Sequence, residues 1–173
     1  MAKGDGLIIM KPSSIVVAGG TATINADGGV DFSAATSLSL NGVFGGYDNY
    51  LVTYRGVHST DGASINLRLR ASGTDANGAN YTWQYLVADG STKSGARSTG
   101  QTYTYMGQAG SSLMSGVQMH LYGPSLAQAT AMRAVDGDSY NNAYIFDIAA
   151  THSLATAYDG VTLYPFGGAA TGS

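Results

Sequence analysis

The sequence has no cysteine and no glutamate, and only three lysines and three prolines among 173 residues. Without cysteine there is no disulfide, no thiolate nucleophile and no zinc ribbon, and the redox compartment stays open. Glu and Lys furnish the solvated faces of most helices, so their scarcity argues against a helical protein. All 11 acids are aspartates, charged residues make up 11% of the chain, and the net charge is -3. A sequence-independent nucleic-acid binder needs clustered Lys and Arg to displace counterions from phosphates, so nucleic acid is not an expected partner. Long apolar runs are also lacking. The opening "MAKGDGLIIMKPSS" holds a four-residue run, against about 7–15 for a signal-peptide core and about 20 for a membrane span. The expectation is a soluble protein made in a cytoplasm, with no membrane partner.

What is abundant is glycine (25), tyrosine (12) and β-forming residues. Asp-Gly or Asn-Gly pairs occur at Asp5-Gly6, Asp27-Gly28, Asn41-Gly42, Asp61-Gly62, Asn77-Gly78, Asp89-Gly90, Asp136-Gly137 and Asp159-Gly160. Such pairs accept the positive φ of tight hairpin turns. Between them lie alternating or β-rich runs at 14–18, 21–25, 37–41, 49–57, 64–71, 80–88, 101–106, 116–122, 129–135, 143–149 and 160–166. About eleven short strands at this spacing predict an all-β, antiparallel β-sandwich or jelly-roll-like domain. The segment 125–132 is the best helix candidate and reads equally as loop plus strand.

Strand parity assigns faces. Ile65, Leu67 and Leu69 share one side and Asn66, Arg68 and Arg70 the other; Val117, Met119 and Leu121 oppose Gln118, His120 and Tyr122. Tyr81, Trp83 and Tyr85 form a stripe that reads as core, because their strand follows 64–71 and the apolar faces join. Residues 1–13 form a separate N-terminal arm or edge strand ahead of one domain, 14–173. Its run Leu7, Ile8, Ile9, Met10 is closed by Pro12, which cannot donate to a central ladder. It is read either as a buried edge strand or as an extended arm docking on a neighbouring subunit. The C-terminal "FGGAATGS" is expected to be exposed.

Catalytic signatures are absent: no H-E-x-x-H, no G-x-x-x-x-G-K-[ST], no G-x-G-x-x-G and no G-x-S-x-G. His58, His120 and His152 are far apart and read as surface or partly buried side chains, not ligands. "DGDSYNN", Asp136 to Asn142, is rich in the oxygen donors calcium prefers but lacks the spacing of an EF-hand, and reads as a polar hairpin loop. No catalytic residue, metal or cofactor is assigned. Tyr47, Tyr50, Tyr103, Tyr105 and Tyr164 are candidates for exposed aromatic contacts. Asn80-Tyr81-Thr82 is a formal glycosylation triplet to which no meaning is attached.

The stretches "SLSLNGVFGGYDNYLVTY", "LRLRASGTDANGANYTWQYL", "LYGPSLAQATAMRA" and "TAYDGVTLYP" resemble a β-sandwich domain that recurs in virion structural proteins of tailed bacteriophages. The resemblance spans about residues 20–166. It implies a non-enzymatic particle protein, located on the capsid surface or in a tail or fibre. The single small domain and short arm favour a capsid decoration or cement protein. Its expected partners are the major capsid protein and copies of itself, as a homotrimer assembled in the host bacterial cytoplasm. Leu7, Ile8, Ile9, Met10, Arg68 and Arg70 are the candidate contacts with capsid or subunit. The alternative is a receptor-binding module at a fibre or tail tip that grips host surface glycan.

Overall fold

The computed structural model describes residues 7–137 and 144–173. Along the chain the strands are β1 (Ser14–Ala18), β2 (Thr21–Ile24), β3 (Val30–Ala35), β4 (Ser37–Asn41) and β5 (Asn49–His58). Next come β6 (Ala63–Ala71), β7 (Thr74–Asp75), β8 (Tyr81–Asp89), β9 (Thr92–Gln101) and β10 (Thr104–Ala109). The last five are β11 (Ser115–Tyr122), β12 (Thr130–Gly137), β13 (Ile145–His152), β14 (Gly160–Phe166) and β15 (Ala170–Gly172). No helix occurs among the described residues, and segment 125–132 is loop followed by the start of β12.

The strands build two antiparallel sheets. One has the order β1-β4-β14-β6-β10, with β7 on β6; the other has nine strands in the order β2-β3-β15-β5-β11-β12-β13-β8-β9. The expected parity places the core between them. Ile65, Leu67 and Leu69 of β6 and Val117, Met119 and Leu121 of β11 belong to that core, all six almost fully buried. Strands β11 and β12 alternate buried and exposed along their whole length, the pattern of a sheet with one face in the core and one in water. Burying these side chains supplies about 1.5–3 kcal/mol each. Tyr81 joins the sheets: its hydroxyl accepts a hydrogen bond from the backbone N–H of Leu69 at 2.9 Å.

Two expected turns are not turns. Gly137 ends β12 and Gly160 opens β14, each inside a ladder. At Gly160 the reason is space, since a Cβ there would lie 2.3 Å from the carbonyl oxygen of Leu40. Gly107 is a similar case. A Cβ would meet a carboxylate oxygen of Asp136 at 2.6 Å, and that buried aspartate accepts the N–H of Gln108 at 2.6 Å.

Candidate functional site

The two arginines of β6 occupy the outer face of the smaller sheet and have different surroundings. The β6–β7 hairpin is a two-residue loop with Ser72 at φ 50° and Gly73 at φ 78°, the left-handed pair that matches strand twist. It sets Asp75 directly across from Arg70. The Arg70 side chain is 8% exposed. It bonds the carboxylate of Asp75 and the carbonyl of Gly73, Ser39 at 3.0 Å, Thr162 at 2.8 Å and Asn41 at 3.1 Å. One side chain thus ties β4, β14, β6 and β7 together from outside the core. Both faces of β6 are buried at this point, and Arg70 is engaged within its own chain.

Arg68 is more open. Its Nε donates to the carbonyl of Thr102 at 2.9 Å, and its guanidinium carbon lies 4.7 Å from the centre of the Tyr164 ring. The Tyr164 ring meets Tyr103 edge to face at 6.0 Å. Burial pushes the pKa of the Tyr164 hydroxyl up to about 12. Tyr103, Tyr164 and Arg68 form a half-buried aromatic group on the outer face of the sheet.

The remaining tyrosines divide. The Tyr50 hydroxyl clamps the loop before β5, accepting the N–H of Gly45 at 2.7 Å and donating to the carbonyl of Tyr47 at 2.9 Å. Tyr47 and Tyr50 are half-buried and serve this loop. Tyr105, expected as an exposed contact, is instead in the core, packed against Trp83, Tyr85 and Phe146. The alternation fails here for two reasons: residues 102–103 bend as the chain crosses between sheets, and the β10 ladder slips in register between Tyr105 and Gly107. Trp83 and Tyr85 are half-buried against the same cluster, since β8 and β9 extend past the smaller sheet.

The histidines and acids assemble no reactive group among the described residues. His58 is buried and shares a 2.8 Å hydrogen bond with the Tyr54 hydroxyl. Burial lowers its pKa to about 4 and raises that of Tyr54, with the charge of Asp136 acting in the same direction. His152, fully buried, pairs with Tyr158 at 3.2 Å and is likewise shifted down by burial. His120 is exposed and stacks on Tyr122. Among the described residues no cluster of His, Cys, Asp or Glu is suited to a metal ion. Most of the 136–142 loop lies outside the described residues.

The arm is the most unusual feature. Residues 7–12 belong to no strand, and Leu7, Ile8 and Ile9 are 83%, 46% and 64% exposed. Met10 is half-buried and Pro12 buried. The arm runs along the lip of a cleft of about 360 Å³ that opens between the sheets where β3 and β5 begin. Leu38 and Leu40 of β4, Leu163 of β14 and Phe44 form its apolar floor, and no charged side chain lines it. The sequence marked the arm by its apolar run. The cleft left no such mark, because its lining comes from segments more than a hundred residues apart.

The class defined by these features is an all-β sandwich with an exposed apolar arm beside an apolar cleft. No family model matches the sequence, and no curated protein matches it. Among solved structures the chain is similar to the C-terminal CBM6 of LamC, a marine laminarinase from Zobellia galactanivorans. That match is 13% identical, covers 90% of this chain and 94% of that one, and has a TM-score of 0.23. A likeness this remote carries no argument about this chain.

Proposed function

We propose that this chain is a non-enzymatic structural protein of a tailed-bacteriophage particle, a decoration or cement protein on the outer surface of the capsid. It acts as an oligomer, a homotrimer, in contact with the major capsid protein. The observation that carries the reading is the arm: three consecutive large apolar side chains, Leu7 to Ile9, held in water and paired with no described strand. Exposed apolar residues in one run mark a surface that a partner covers.

The mechanism is physical. A protein that binds only the assembled shell stabilises that shell by mass action, and many copies add their effects. Closed symmetric assembly lets one small interface repeat around each site. Deleting residues 1–12 tests this. Binding of the purified protein to shells lacking it should be lost, while its thermal melt stays sigmoidal. Unchanged occupancy of the shell overturns the arm's part in that contact, and a full-length protein that does not bind such shells overturns the reading.

A second reading, a receptor-binding module of a tail fibre or tail tip, is favoured by the group of Tyr103, Tyr164 and Arg68. Aromatic faces next to a guanidinium suit a sugar ring. Binding of the isolated domain to host surface glycan, lost in Tyr164→Ala, would move the assignment there.

A further inference from the structure

The cleft is more than a gap between sheets, because one wall is a strand edge that no described strand pairs. β15 pairs with β5 from His58 to Gly56, and Arg55 and Ser173 exchange two backbone hydrogen bonds of 2.8 Å each. Beyond that point no described strand lies between β3 and β5. Backbone groups alternate sides along a strand, so Leu51 and Thr53 turn theirs the same way as Arg55, away from β11. No described strand meets them there. Residues Asn49 to Thr53 line the cleft in unbroken succession, which a strand does only when seen edge-on. The result is a slot the width of one strand, with ladder groups along one wall and an apolar floor.

We propose that this slot receives the arm of a second copy of this chain, added as a strand between β3 and β5. Strand addition combines backbone bonding to a free edge with pockets for alternate side chains. The arm fits on three counts. Leu7 to Met10 are all apolar, so either set of alternate residues suits the uncharged floor. Four residues cover about 13 Å against about 17 Å of open edge from Asn49 to Thr53, at about 3.3 Å per residue. Pro12, which cannot donate to a ladder, is buried on the cleft lining and fixes the base of the arm.

Residues 7–10 of the same chain do not fill the slot. They lie across the β2–β3 turn, where a Cβ on Gly28 would come within 3.0 Å of the Ile9 side chain. From there Leu7, Ile8 and Ile9 remain in water, and no described strand occupies the slot. An arm in the next copy's slot buries alternate side chains of this run against the apolar floor, covers the free edge of β5, and links copies head to tail; if the rotation closes, a ring forms. This shares with the particle reading only the premise that the arm contacts another molecule, and it does not depend on where the protein is located.

The test uses the absence of native cysteine. Full-length chains carrying Ile9→Cys or Thr53→Cys, each with a wild-type melting curve, are mixed and treated with a short bis-maleimide. Cross-links joining position 9 of one chain to position 53 of the other, identified by mass spectrometry, are expected, and they should vanish when Leu40→Asp is added to the Thr53→Cys chain. If the two single variants give no such cross-link, or if it forms only within a chain that carries both substitutions, the proposal is overturned. Failure here with shell binding intact removes the slot and leaves the particle reading. Cross-linking without shell binding does the reverse.

Discussion

Replacing Arg70 by alanine is the sharpest probe of what holds the smaller sheet together. The substitution removes the hydrogen bonds to Ser39, Asn41, Thr162, Gly73 and Asp75. Breaking a buried ion pair from one side typically costs about 3–5 kcal/mol, because the other charge is left uncompensated. Asp75 is 21% exposed and keeps a 2.6 Å bond from Thr162, so the lower part of that range applies, about 3–4 kcal/mol. At about 2–4 °C per kcal/mol for a chain of this size, the melting temperature should fall by about 6–16 °C. Urea unfolding followed by circular dichroism measures the first quantity and calorimetry the second. In a double-mutant cycle with Asp75→Ala the two changes should be non-additive by about 1–3 kcal/mol. Arg68→Ala, which loses a ring contact, one hydrogen bond and a 3.9 Å ion pair with Asp75, should cost only about 1–2 kcal/mol. If Arg70→Ala leaves the melt within about 0.5 kcal/mol of wild type while weakening self-association, the guanidinium is a contact between subunits and not a tie within the sheet.

Three further outcomes follow from the same packing. The unfolded chain protonates His58 near 6.5 and the native chain only near 4, so the unfolded state gains protons first as pH falls through that window. Stability should then decline below pH 6.5, by at most about 1.4 kcal/mol per pH unit per histidine, with His152 adding in the same direction; a urea midpoint equal at pH 7 and pH 5 would refute this. Gly107→Ala forces a Cβ against Asp136 and Val117 and should cost about 1–3 kcal/mol in urea unfolding, whereas a neutral result would show that the β10 register can shift. Tyr105→Ala should destabilise by about 3–5 kcal/mol as a core aromatic; a stable variant with reduced partner binding would return Tyr105 to the surface.

Much of the fold was legible because one physical signal, period-2 alternation, governs strands with one face in water. β1, β4 and β14 begin and end where the alternating runs do. β9 was missed because "TKSGARSTGQ" is nearly all exposed: an edge strand beyond the smaller sheet has no apolar face to show, and its Lys93 and Arg97 discourage edge-to-edge pairing. β7 and β15 are too short to show a period. In the candidate site, the sequence pointed to Leu7–Met10 and to both arginines. It could not reveal that Arg70 is enclosed, because Ser39, Asn41 and Thr162 reach it only through sheet order. The edge of β5 that no described strand pairs was hidden for a related reason, since it depends on which strands the sheet order sets beside β5.

Cryo-electron microscopy of intact particles, comparing wild type with particles lacking this chain, addresses the proposed role most directly. The expected result is difference density of sandwich size on the outer surface of the capsid, in symmetric groups, with the arm end of each copy turned toward a neighbour. Density confined to the tail tip, or particles that carry none of the protein, would contradict it.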